Sequence, residues 1–166
     1  MGLNGEIDMK KICHALEILR FAGVILGFAL ALQYGHTPQA QLHILSPWIV
    51  ISLAGLTGIE SVFFGRAAAE LSGYAPSAYQ RQSGFNNLAV AIVALLVFLL
   101  GWGTYAEVTI MSVLLIFLFL SACNHAWSAI REGNLNLRNV LRPIMTVVII
   151  IVIVPFILRA LTAVGP

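Results

Sequence analysis

Five long apolar stretches, separated by short polar turns, constrain this chain more than any other feature of its sequence. They lie at about residues 12–34, 47–71, 77–101, 105–130 and 141–164. A helix needs about 20 mostly apolar residues to cross the hydrocarbon core of a bilayer. The composition agrees, because 60% of the 166 residues are apolar and 10% are charged. We therefore predict an all-α integral membrane bundle of five transmembrane helices, forming a single membrane domain over residues 1–166.

The same composition excludes the main classes of water-soluble protein. Soluble domains carry about 25% charged residues, and a net charge of +2 is small for a protein that binds nucleic acid. Two cysteines, Cys13 and Cys123, are too few for a disulfide-stapled fold. The sequence has no Gly-rich phosphate loop and no His-Glu-x-x-His or Cys-x-x-Cys motif. We therefore expect no cofactor, no metal and no nucleic-acid partner.

Turn residues predict where the helices begin and end. Ser46 followed by Pro47 is typical of a helix start, with the serine as N-cap and the proline at the first helical position. This pair predicts a loop over residues 35–46. Gly23 and Gly27 form a Gly-x-x-x-Gly motif that allows close helix packing or dimerisation.

The basic residues predict the orientation of the helices. If the N-terminus is cytoplasmic, eight of the nine Lys and Arg residues fall at cytoplasmic helix ends, and Arg159 lies toward the other side. The first and third loops contain no Lys or Arg. The positive-inside rule then predicts an N-in, C-out topology. The eight residues are Lys10, Lys11, Arg20, Arg66, Arg81, Arg131, Arg138 and Arg142.

Polar side chains within the spans mark a candidate site, because such groups are costly in lipid and usually face the bundle interior. At 1.5 Å rise per residue, Glu60, Asn87 and His125 lie in the cytoplasmic half of the predicted bundle. We predict that they line one polar cleft, with Glu60 and His125 as a titrating pair and amides as orienting donors. The candidate substrate-binding residues are Glu60, Gln80, Asn86, Asn87, Asn124, His125 and Arg142.

Each of these residues also has a purely structural interpretation. Amide side chains in membrane helices often only form a hydrogen bond to a neighbouring helix, and each such bond stabilises the bundle by about 0.6 kcal/mol. Arg142 could bind an anionic headgroup or a carboxylate. Its positive charge near the start of the fifth helix is explained equally well by the positive-inside rule. Glu60 is different, because a carboxyl group near mid-membrane needs a partner, which would be His125 or an arginine.

Several of these motifs together resemble a known protein family. Glu60, the stretch from Pro76 to Gln80, and Gly84-Phe85-Asn86-Asn87-Leu88 are followed by Asn124-His125, Gly133-Asn134 and Arg142-Pro143. The pattern, over about residues 55–145, is similar to small bacterial membrane proteins of the DUF6790 type and to the broader DoxX-like families. The resemblance implies a short helical bundle in a bacterial inner membrane. It assigns no reaction.

Three functions remain open at this stage. The first is binding or transport of a small polar or amphipathic molecule through the cleft, by a protein that forms homo-oligomers. The second is an accessory subunit that stabilises a larger membrane complex, which the short loops suit. The third is a membrane enzyme that uses Glu60 and His125 as acid and base on a lipid-like substrate.

The predicted topology places the C-terminus outside the cytoplasm. An epitope tag after Pro166 should therefore bind antibody on intact spheroplasts, whereas a tag before Met1 should bind only after permeabilisation. A C-terminal tag that stays protected on intact cells would contradict the orientation.

Overall fold

The computed structural model describes residues 3–165, with side chains from residue 7 onward, and this range contains helices and turns but no strand. Five helices are long and apolar enough to cross a membrane, which confirms the prediction of an all-α bundle with five spans. The orientation in the membrane stays a prediction. The elements are α1 (Leu3–Tyr34), α2 (Pro38–Val50), a π-helical turn (Ile51–Gly55), α3 (Leu56–Phe63), α4 (Gly65–Leu71), α5 (Ala78–Leu99), α6 (Thr104–Arg131) and α7 (Leu137–Val164).

The predicted start of the second helix is wrong. The helix begins at Pro38, where Thr37 is the N-cap and its side-chain oxygen accepts a hydrogen bond from the Ala40 N–H at 3.1 Å. Pro47 lies inside the helix and is buried. The Thr37-Pro38 pair supplies the same cap chemistry as Ser46-Pro47 nine residues earlier, and bundle packing tolerates a proline inside a membrane helix.

The predicted end of that helix, at residue 71, also differs from the structure. The α-helix ends at Phe63, and Phe64 takes φ −124° and ψ 19°, outside the helical region. The chain then resumes as the short helix α4. The three helical pieces from Pro38 to Phe63 form one span, called here the second span.

The second span is the centre of the bundle. Its pieces contact α1, α5, α6 and α7. In its most apolar 18-residue stretch 56% is buried, compared with at most 33% for the corresponding stretch of any other span. The π turn lies at its middle, and such turns are frequent at functional sites. The other four spans therefore all pack against the second span.

Close contacts at glycines hold α1 and α5 against the second span. A Cβ atom at Gly23 would lie 2.0 Å from the Ser52 Oγ, and one at Gly27 would lie 2.6 Å from the Trp48 Cβ. The Gly-x-x-x-Gly motif is thus used within the chain, between α1 and the second span. On the opposite side, a Cβ at Gly58 would lie 2.9 Å from the Gly84 carbonyl oxygen of α5.

The two ends of the bundle differ in chemistry. The main apolar core, which includes Leu45, Met111 and Ile153, fills the half toward the turns at 35–37 and 100–103. The other end, called here the basic end, consists of the N-terminal half of α1, α4 and the turns at 72–77 and 132–136. Its apolar cluster is small and centres on Cys13, Ala67 and Ala68. Most polar contacts lie at or near the basic end.

An ion pair joins α1 to α4 at the basic end. The Lys10 Nζ lies 3.2 Å from one Glu70 oxygen, and the Arg66 Nε lies 3.4 Å from the other. The Lys10 hydrogen bond, aided by Arg66, holds the pKa of the Glu70 carboxyl below its usual range. The pair therefore stabilises the fold above that range, and the contribution is lost as the pH falls through the lowered pKa.

The Gly58 contact gives a test of the packing. Gly58→Ala would force a methyl group against the α5 backbone, and we expect it to lower the free energy of unfolding by about 1–3 kcal/mol. Gly65→Ala is the matched control, because its Cβ would meet the Gln80 side chain at an ordinary 3.6 Å. Thermal unfolding in detergent measures both. Equal stabilities would contradict the close approach of α3 and α5.

Candidate ligand-binding cleft

A cleft of about 250 Å³ opens between four spans and the middle of the second span. Charged groups line one part of it: Arg20 and Glu17 of α1, and Arg138 and Arg142 of α7. Apolar side chains line the rest. These apolar residues are Phe21, Leu53, Leu114, Phe117, Leu118, Ala122, Leu141, Met145 and Ile149, with Thr57, Asn87, Ser121, His125 and Thr146 interspersed.

Arg20 and Glu60 form an ion pair next to the cleft. The Arg20 Nη2 donates to the Glu60 Oε2 and also contacts the Leu56 carbonyl oxygen at 3.4 Å. The two side chains are 12% and 3% exposed, so the pair is shielded from the surroundings. Among the described residues, the Arg20 Nε and the Glu60 Oε1 have no hydrogen-bond partner. Glu60 thus obtains the arginine partner that its depth requires, and the pair ties α1 to α3.

A second ion pair crosses from α7 to α1. The Arg138 Nη2 lies 2.5 Å from the Glu17 Oε2 and 2.9 Å from the His14 Nδ1. Glu17 precedes Arg20 by three residues, so both α1 side chains lie on one helix face. Both pairs therefore hold α1 against the rest of the cleft.

The buried His125 is the centre of a hydrogen-bond network. Its Nδ1 lies 2.7 Å from the Asn139 Oδ1 and 3.1 Å from the Tyr74 Oη, and the Tyr74 hydroxyl donates to the same Asn139 oxygen at 2.6 Å. The Asn139 amide donates to the backbone carbonyl oxygens of His125 and Asn134. The network thus links α6, α7 and the two turns of the basic end.

The donors in this network assign the form of the His125 ring. The Arg142 Nη1 lies 3.1 Å from the His125 Nε2, and a guanidinium can only donate. Nε2 is therefore the acceptor, so the proton is on Nδ1, where it faces Asn139. His125 is neutral in this arrangement, and its role is to orient the Arg142 guanidinium toward the cleft.

The structure brings together some of the residues predicted from the sequence and separates others. Asn87, His125 and Arg142 line the cleft, and Glu60 lies behind its partner Arg20. Asn86 is exposed and lines an outer groove, which Asn87 also borders. The remaining two lie elsewhere: Gln80 beside Gly65, and Asn124 exposed on α6.

Glu60 and His125 do not form the expected pair. Glu60 bonds Arg20, and His125 bonds Asn139, Tyr74 and Arg142. Each residue instead bonds a different arginine, Arg20 of α1 for Glu60 and Arg142 of α7 for His125. Acid–base cooperation between them therefore has no support in the geometry.

The candidate set lacked Arg20 and Arg138, which line the cleft, and also Tyr74 and Asn139, which bond His125 beside it. Arg20 and Arg138 count as topogenic charges in the sequence, although their i,i+3 and i,i+4 neighbours Glu17 and Arg142 signal a helix face of charged groups. Tyr74 and Asn139 lie in and after turns, where polar residues are ordinary. No sequence signal of theirs points to the cleft.

A histidine–carboxylate contact lies toward the opposite end of the bundle. The His43 Nδ1 lies 2.5 Å from the Glu107 Oε1, and the His43 ring stacks on Phe98 with a centroid distance of 4.7 Å. Glu107 is in the first turn of α6, where the helix dipole favours a negative charge. Within the described range, no group of three or more His, Cys, Asp and Glu side chains is arranged to hold a metal ion.

Comparison with known proteins places the chain in a family without assigning a reaction. The model of DUF6790, a family of unknown function, matches residues 15–164, so the chain belongs to this family. No curated protein and no solved structure matches the chain. The resemblance to the DUF6790 type expected from the sequence is confirmed, and the likeness to DoxX-like families stays a prediction.

The buried Arg20–Glu60 pair gives a sharp stability test. Glu60→Gln leaves the Arg20 charge buried without a counter-charge, and we expect a loss of about 3–5 kcal/mol of unfolding free energy. Arg20→Gln combined with Glu60→Gln should recover part of this loss, because no uncompensated charge remains. Chemical unfolding in detergent measures the free energy of unfolding of the unmodified chain and of each variant.

Glu70→Gln is the control for these variants, since Glu70 pairs at the surface and its loss should have little effect. If Glu60→Gln were no more destabilising than this surface change, the buried pair would not have the structural role described.

Proposed function

We propose that this member of the DUF6790 family is a multi-pass membrane protein that binds, and releases to the bilayer, a small amphipathic molecule held in the cleft. The observation that carries the proposal is the composition of the cleft wall, in which four charged side chains face a wall of apolar ones. A ligand with a polar head and an apolar body matches both parts. Pockets of this kind, mostly apolar with a few placed polar groups, are typical of small-molecule sites.

The proposal includes a location. In a bacterial inner membrane with the N-terminus inside, the basic end faces the cytoplasm and the cleft lies in the cytoplasmic half. The ligand then reaches Arg138 and Arg142 near the cytoplasmic headgroup layer. The proposal also includes homo-oligomers of the bundle, in which each chain would supply its own cleft from residues of all five spans.

Binding is favoured over acid–base catalysis by the state of the polar groups. Glu60 is neutralised by Arg20, and His125 accepts a hydrogen bond from Arg142. Both groups are therefore occupied in holding cations in position. A site that orients guanidinium groups is suited to recognition of a charged or polar head.

A cleft-filling variant tests the proposal. Ser121 is on the α6 face that lines the cleft, so Ser121→Phe should fill part of the space and prevent binding. Cys123→Phe is the control, because Cys123 is exposed on the same helix and is not part of the cleft wall. Native mass spectrometry of protein extracted in mild detergent measures bound small molecules. Saturable binding is then measured for five probes added one at a time: palmitate, a lysophospholipid, a fatty alcohol, an alkylamine and an isoprenoid alcohol.

We expect an adduct or saturable binding of at least one probe with the unmodified chain and with Cys123→Phe, and a loss of at least tenfold in affinity with Ser121→Phe. If no probe bound saturably, or if Ser121→Phe bound as well as the control, the proposal would be wrong.

A further inference from the structure

The charges of the cleft do not balance. Three guanidinium groups, of Arg20, Arg138 and Arg142, face two carboxylates, of Glu60 and Glu17. The first two arginines each have a carboxylate partner. Among the residues that the structure describes, Arg142 pairs with no carboxylate, and its partner is the neutral ring of His125. The cleft therefore carries one more positive than negative charge, and Glu60 and Glu17, which already pair with the other two arginines, attract Arg142 only from beyond contact distance.

The Arg142 side chain is also held in place while most of its hydrogen-bond donors stay available to a ligand. Its contact with the His125 Nε2 uses one of the five N–H donors of the guanidinium. The His125 ring is fixed in turn by Asn139, which is fully buried. The remaining donors are suited to two parallel hydrogen bonds with a carboxylate or phosphate, which is the strongest arrangement for these groups.

The cleft is too small for a whole lipid chain. Its volume of about 250 Å³ is below the roughly 300–1,000 Å³ of typical ligand pockets. It can hold a headgroup and the first few carbons, so a longer chain needs a way out through the apolar part.

A second groove lies directly beyond one wall of the cleft. It has about 260 Å³ and lies between α5 and α6, where Val113, Ile116 and Leu120 are exposed on the bundle surface. Asn87, Leu114 and Phe117 border both this groove and the cleft, so these three side chains form the partition between them. α5 and α6 also touch much less than α6 and α7 do, so the partition lies at a loosely packed seam.

We infer that the ligand is a single-chain amphipathic anion, whose headgroup binds Arg142 and whose chain passes Phe117 into the groove between α5 and α6. This inference rests on the proposed function and names the chemistry of its ligand. The shared headgroup chemistry is a carboxylate or a phosphate monoester, as in a fatty acid or a lysophosphatidic acid.

Headgroup discrimination by the unmodified chain is the first test. In nanodiscs of neutral phosphatidylcholine, binding of palmitate, lysophosphatidic acid, hexadecanol and hexadecylamine is measured by equilibrium competition. We expect at least one anion to bind at least tenfold more tightly than the alcohol and the amine. Preference for palmitate identifies a carboxylate as the headgroup, and preference for lysophosphatidic acid identifies a phosphate.

Arg142→Gln is the second test, with Arg81→Gln as control, because Arg81 is exposed and stacks on Phe85 away from the cleft. Loss of a charge-assisted hydrogen bond should weaken binding of the preferred anion about 10- to 100-fold. The control should change it less than twofold. Binding of the alcohol should be unaffected by either change. The comparison of headgroups needs no variant, so it stands even if Arg142→Gln does not fold.

The outcomes separate this inference from the proposed function. Tight binding of hexadecanol or hexadecylamine, equal to that of the anions and lost in Ser121→Phe, would overturn the inference and leave the proposed function standing. Saturable binding of none of the probes would overturn both.

The path of the chain is tested by photolabelling. A palmitate analogue with a diazirine on its last carbons should label the groove residues Ile116 and Leu120, whereas a diazirine next to the carboxylate should label the Met145 region of α7. Labelling of α1 or α7 by the distal diazirine would contradict the path past Phe117.

Discussion

The absence of water from the bilayer core is the constraint on which the structure depends. In hydrocarbon, each charged side chain needs a partner inside the bundle. Arg20 and Glu60 satisfy each other between α1 and α3, and Arg138 and Glu17 do so between α7 and α1. These cross-helix pairs hold together the part of the bundle where the apolar core is small. The cleft lies where the pairs meet, so the interactions that close the fold also build the site.

The same constraint explains why the position of Arg142 points to a binding site. A cation at the edge of a membrane bundle can be explained by topology alone, and its sequence position near the start of α7 agrees with that. Its surroundings add a second reason, because the buried His125 and Asn139, with the half-buried Tyr74, form an uncharged support next to it. Such a support orients a charge without cancelling it, which is the property that a binding site for an anion needs.

Much of the fold was predictable from the sequence, and the reason is physical. Span length and the apolar content of each stretch follow directly from bilayer thickness, so five helices could be recognised. The start of the second helix could not, because Thr37-Pro38 and Ser46-Pro47 are equivalent caps and only packing distinguishes them. Within the site, helical spacing was enough to bring Asn87 and His125 together as candidates, and both line the cleft. The partner of Glu60 was not, because Arg20 is 40 residues away in the chain and its choice depends on tertiary packing.

The central claim is that the cleft between α1, α6 and α7 holds an amphipathic ligand. The most direct measurement is an experimental density map of the protein extracted with its native lipids into nanodiscs. We expect elongated density with its head at Arg142 and its tail beside Phe117. A well-resolved map in which side chains fill the cleft, or in which ordered ligand density lies only at other surfaces, would contradict the claim.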